Sequence, residues 1–134
     1  ALDAMIHTTK TIHMAEDYFA NGGLAEGELI TRICFEIPSQ GIYLKHTRAS
    51  STDAVIGVLV SRFEKKCRVA IVGAQRVAFL CPALEAALGK RFHPAVYDHS
   101  HIPDNMLREK PDASLEYQLN LVEILFKRAI NSCA

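Results

Sequence analysis

Tryptophan is absent from the 134 residues, charge of neither sign predominates, and no apolar run approaches the length that crosses a bilayer. Lys plus Arg and Asp plus Glu each number 15, so there is no global basic field to gather a polynucleotide by counterion release. No duplex nucleic acid partner is expected. The longest apolar runs, Ala54 to Val60 and Val77 to Leu84, fall well short of the roughly 20 residues of a membrane-spanning helix. Cysteine is sparse and scattered: Cys34, Cys67, Cys81 and Cys133 form no C-x-x-C pair and lack the density of a disulfide scaffold. They read as reduced thiols of a cytoplasmic protein. No succession of basic, apolar and small residues marks a signal peptide, and the chain opens Ala1-Leu2-Asp3 without Met. A domain excised from a longer protein is the expectation.

What is present is a globular balance, 49% apolar and 22% charged, in a chain long enough for one core. Residues 1–134 are therefore expected to form a single α/β ligand-binding domain. Leu2, Met5, Ile12, Ala15 and Phe19 recur at helical spacing before Asn21-Gly22-Gly23, predicting a helix over residues 3–20. Ile33, Phe35 and Ile37 alternate with polar or small residues, and Pro38-Ser39-Gln40-Gly41 reads as the turn into Ile42 to His46, predicting a hairpin. Val55, Ile56, Leu59, Val60 and Phe63 suggest a helix, and Arg68 to Gly73 a strand buried on both faces. A helical stripe runs from Phe79 to Leu88, with Pro82 either in its first turn or as a kink. Pro94 to Asp98 follows as a strand, then a long amphipathic helix from Asp112. The predicted order is α-β-β-α-β-α-β-α, a mixed, partly parallel sheet flanked by helices.

In such sheets ligands bind beyond the carboxyl ends of the strands, where N–H groups at helix N-termini face anions. Two loops qualify. His46 to Thr52 offers the guanidinium of Arg48 and the hydroxyls of Ser50, Ser51 and Thr52, and Gly73-Ala74-Gln75-Arg76 offers close backbone approach together with Gln75 and Arg76. Helix capping and chain turning also produce such loops. Neither matches G-x-G-x-x-G or G-x-x-x-x-G-K-[ST], which argues against a Rossmann dehydrogenase or a P-loop hydrolase. A third cluster, Asp98, His99 and His101 with Asp104, could ligate zinc or manganese and activate water for phosphodiester or amide hydrolysis.

The stretch Arg68 to Asp98 carries a family likeness. A buried strand Val69 to Gly73, then Pro82-Ala83 and Leu88-Gly89, then Tyr97 at the end of the next strand resembles the C-terminal strand–helix–strand segment of SAVED domains. These are relatives of the CARF sensors of prokaryotic CRISPR and CBASS antiviral defence. The resemblance covers about a quarter of the chain, and a full SAVED domain is longer. It implies a sensor of a cyclic oligoadenylate with Gly73, Gln75, Arg76, Tyr97 and His99 near the ligand. It further implies a homo-oligomer and a fused effector or anchor outside this chain. On that reading there is no catalytic residue, metal or cofactor. The alternative is a small metal-dependent phosphodiesterase using Asp98, His99, His101 and Asp104.

Overall fold

In a computed structural model, residues 1–48, 54–111 and 113–133 are described. The chain is mixed α/β and divides into two compact units, residues 1–37 and 38–134.

In the first unit, β1 (Met5–Thr8), β2 (Ile12–Met14) and β3 (Ile30–Cys34) form an antiparallel sheet in the order β2-β1-β3, with α1 (Ala15–Ala20) following β2. The helix expected over residues 3–20 is thus mostly a hairpin. Ile6, which falls outside the helical stripe, is the buried apolar residue here, and Thr8 closes the turn by donating its N–H to the Thr11 carbonyl at 2.8 Å. Two successive β-branched threonines favour that extended turn over a helix interior. The chain does leave α1 at Asn21, with Gly22 and Gly23 at φ +85° and +94°. The buried Glu28 carboxylate ties the unit together, accepting from the Thr8 hydroxyl and from Ala25 N–H at 3.0 Å.

The second unit holds β4 (Gln40–His46), β5 (Ile56–Arg62), β6 (Cys67–Val72) and β7 (Phe79–Leu80), paired antiparallel in sequence order. Helix α2 (Pro82–Lys90) lies against β6, and α3 (Leu115–Ser132) against β4 and β5, with three short 3-10 turns between the helices. Strand β5 replaces the helix expected over Val55 to Phe63. Ile56, Val58 and Val60 repeat with period two and are fully buried beside Val122, Phe126 and Ile130 of α3, and β-branched residues at that spacing form strand ladders better than helical turns. With a strand where a crossover helix was expected, β4, β5 and β6 join as hairpins. Every described ladder is therefore antiparallel, not partly parallel.

Pro82 occupies the first turn of α2, the position where its missing N–H costs nothing. Where a strand was expected at Pro94 to Asp98 there is a 3-10 turn, Pro94–Val96, and a second follows at His99–His101. Helix α3 is capped by Ser114, whose hydroxyl accepts from Tyr117 N–H at 3.2 Å; Asp112 lies outside the described residues. Among the described residues, no helix is long and apolar enough to cross a membrane.

Candidate functional site

The end of β4, the start of β5 and the end of β6 share one edge of the second sheet. At that edge lies a cleft of about 700 Å³, walled by Tyr43 and Lys45 of β4, the Val72 to Arg76 turn, and the Arg108 to Pro111 loop. Gly73 makes the turn possible. Its φ is +87°, and a Cβ there would stand 2.6 Å from the Ala54 carbonyl oxygen and 2.7 Å from that of Val55, so a side chain is excluded by both conformation and space.

Four hydrogen bonds hold the loop after Pro103 against the Gly73 turn and the start of β5. Lys110 Nζ donates to the carbonyls of Gly73 and Val55, Gln75 Nε2 donates to the Asn105 carbonyl at 3.0 Å, and Arg108 N–H donates to the Ala74 carbonyl at 3.1 Å. Behind them the fully buried Gln118 amide donates to the carbonyls of Arg108 and Ala113 at 2.9 and 2.8 Å. Four cationic side chains, Lys45, Arg76, Arg108 and Lys110, line the cleft against one carboxylate, Glu109. Among the described residues, no ion pair engages Lys45, Arg76 or Arg108. Concentrated positive charge at a concave sheet edge attracts an anion, and two guanidinium groups suit phosphate or carboxylate oxygens. Tyr43 adds a half-exposed ring, packed over Gly57, on which a planar group can stack.

Of the residues singled out from sequence, Gly73, Gln75 and Arg76 come together in this cleft. Arg48 is exposed just beyond β4 and is not among its lining residues, and Ser50, Ser51 and Thr52 lie outside the described residues. Tyr97 and His99 belong to a different surface. The Tyr97 ring packs against Phe126 and its hydroxyl donates to the Leu119 carbonyl at 3.4 Å, while His99 Nε2 lies 2.7 Å from a Glu123 carboxylate oxygen. Burial pushes the Tyr97 phenol well above its ordinary range.

Lys45, Tyr43, Arg108 and Lys110 were missed by sequence reasoning. Alternation along β4 could have found the first two, since Tyr43 and Lys45 are both exposed at successive same-face positions. The Arg108-Glu109-Lys110 run had no signal, because only the tertiary fold brings it to Gly73.

The metal-dependent alternative loses its ligand set. Asp98 spends its carboxylate on the Ser100 N–H at 2.8 Å, which holds it below the ordinary carboxylate range, and His99 is engaged by Glu123. Among the described residues, no group of three or more His, Cys, Asp or Glu could hold a metal ion.

Neither a protein-family model nor a curated protein matches this chain. Solved structures do. One is quinoline 2-oxidoreductase from Pseudomonas putida 86, at TM-score 0.71 and 16% identity, covering 98% of this chain and 52% of the matched one. Another is a Cu,Mo-CO dehydrogenase in a cyanide-inactivated form, at TM-score 0.74 and 19% identity, covering 97% of this chain and 52% of that one. This chain thus spans about half the length of the chains it matches, and at these identities the likeness is one of fold.

The likeness corrects the SAVED and CARF resemblance and the readings built on it. Nearly all of this chain is similar in fold to those two oxidoreductase chains, so the cyclic oligoadenylate sensor of CRISPR or CBASS defence, its homo-oligomer and its fused effector are set aside, as is the phosphodiesterase. The resembling residues have a local explanation. Pro82-Ala83 is a helix first turn, Leu88-Gly89 lies in its last, and Tyr97 ends a 3-10 turn rather than a strand.

Proposed function

We propose that this chain is a domain of an oxidoreductase subunit, and that its basic cleft receives the anionic portion of a redox cofactor held jointly with other parts of the enzyme. One observation carries the reading: the cationic side chains gather at a single concave edge of a fold shared with a quinoline oxidoreductase and a CO dehydrogenase. Cofactors that carry electron pairs or hydride, flavin and nicotinamide dinucleotides among them, bear phosphates, and the protein's part is to bind, orient and tune them. Lys45, Arg76 and Arg108 would supply charge-assisted hydrogen bonds to phosphate or to a ring carbonyl, and Tyr43 a stacking face. The partners would be other parts of the same enzyme. A cytoplasmic setting agrees with four unpaired cysteines.

The test is equilibrium binding of FAD, FMN and NADH to the purified chain at low ionic strength, repeated with Arg76→Ala and Lys45→Ala. Saturable binding by one of them, weakened roughly tenfold by either substitution as expected for one lost charge-assisted contact, supports the assignment. If none binds either to this chain or to the natural gene product containing it, the cleft is not a cofactor site.

A further inference from the structure

Ten of the thirteen large apolar side chains left exposed among the described residues belong to residues 1–37; only Tyr43, Tyr117 and Ile124 lie elsewhere. Within that unit the buried residues are Ile6 and Glu28 alone. Both faces of its sheet are affected. Met5 pairs with Met14 and Cys34 across the three strands, and Ile6 pairs with His13 and Ile33, so Met5 and Ile33 stand on opposite faces. Met5 is 41%, Met14 46% and Ile33 55% exposed, and beyond β3 Phe35 and Ile37 reach 56% and 85%. An antiparallel sheet with one solvated face alternates apolar with polar residues, whereas one apolar on both faces is an inner layer. Three short strands with a single buried aliphatic residue lack the apolar burial of an independent domain.

We propose that β2-β1-β3 is part of a larger folded layer, and that its apolar surface is the docking face for a further stretch of the same polypeptide. The identity of the occupant rests on the oxidoreductase reading. Each solved chain aligns with nearly all of this one and carries about as much polypeptide again, enough to supply strands beyond β2 or β3 and a covering helix. The chemistry required of that stretch is a mainly aliphatic and aromatic face, because the exposed ridge offers Ile33, Phe35 and Ile37.

The experiment compares hydrogen exchange in the 134-residue chain with that in the natural gene product containing it. A photocrosslinking residue, p-benzoylphenylalanine, is placed in the gene product at Phe35 and separately at Ile37, so that one disruptive position does not end the test. In the short chain the amides of β1 and β3 should exchange at least about a hundredfold faster than those of β5 and β6, as in a locally unstable unit. In the gene product they should become protected, with crosslinks to residues outside these 134. Slow exchange in a monomeric 134-residue chain overturns the proposal. So do crosslinks confined to residues 38–134 or to a second copy, and so does a gene product with no further polypeptide. Failure of the cofactor assay leaves the exchange pattern untouched, and the two readings fall separately.

Discussion

The ammonium of Lys110 donates to the Gly73 carbonyl, 37 residues away in sequence, and to that of Val55 at 3.3 Å. It cross-links the turn after β6 to the entrance of β5 and sets the separation of the cleft walls. Lys110→Met should cost about 1–3 kcal/mol, the price of leaving part-buried carbonyls without a donor, and lower the thermal midpoint by several degrees. Gly73→Ala should cost more than about 1 kcal/mol, because its φ of +87° and the Ala54 carbonyl both oppose a Cβ. Thermal unfolding of the two variants checks both.

Gln118 holds the same loop from behind. Its amide donates to two backbone carbonyls, and its Oε1 is buried without a partner among the described residues. Gln118→Leu removes that orphaned acceptor but strands the carbonyls of Arg108 and Ala113, for a net loss of about 1–3 kcal/mol. The distinguishing measurement is hydrogen exchange at residues 106–111. Faster exchange there, beyond what the global loss explains, is the expected result; a uniform change would show that Gln118 acts on the core alone.

These two contacts show what was legible in the sequence and what was not. Gly73 could be identified because a glycine after a β-branched run, followed by polar residues, has few uses other than a turn. Lys110 could not, because its role depends on a hydrogen bond across 37 positions. The α/β class and the burial of β6 followed from local pattern. The direction of pairing did not, since Val55 to Phe63 fits a helix by spacing, while Ile56, Val58 and Val60 fit a strand equally well. The tie is broken by α3, whose Val122, Phe126 and Ile130 meet those residues in one core. The first unit misled for the opposite reason. Its apolar residues are spaced as if to face a core, yet Met5, Ile12 and Phe19 remain exposed.

Acidification should weaken the second unit at the α3 surface. Glu123 accepts from Lys127 and sits 2.7 Å from His99, and these hydrogen bonds, Lys127 first, lower its carboxyl below the ordinary value of 4.5. A carboxylate with a depressed folded-state pKa contributes stability that is present above its unfolded value and lost as pH falls through the folded one. Wild-type protein should therefore lose more stability than Glu123→Gln between about pH 5 and 3. Parallel denaturant titrations at those pH values would show it, and equal losses would mean the interaction is screened by solvent.

The thiols provide a check on the core. Burial raises the pKa of Cys81 and Cys133, and Cys81 Sγ also donates to the His101 carbonyl at 3.3 Å. Only the thiolate reacts with alkylating agents. At pH 8 iodoacetamide should therefore label both residues at least about tenfold more slowly than in the denatured chain. Peptide mapping after timed quenching gives the rates. Prompt labelling of Cys81 in native protein would contradict its 3% exposure and with it the packing of α2 on β6.

Tyr43 offers a way to perturb the cleft without unfolding the sheet. A Cβ on Gly57 would come within 2.5 Å of the Tyr43 hydroxyl and 2.9 Å of its ring, so Gly57→Ala forces the ring aside. The atoms displaced are the exposed far end of a side chain, and alanine also restricts the unfolded chain. The stability change should stay within about 1 kcal/mol. If Tyr43 supplies the stacking face of the cleft, Gly57→Ala should weaken FAD, FMN or NADH binding by as much as Tyr43→Ala does. The double variant should then be no weaker than either single one, because both act on the same ring. Additive losses would instead assign Gly57 a separate role, as a point of close backbone approach to the ligand.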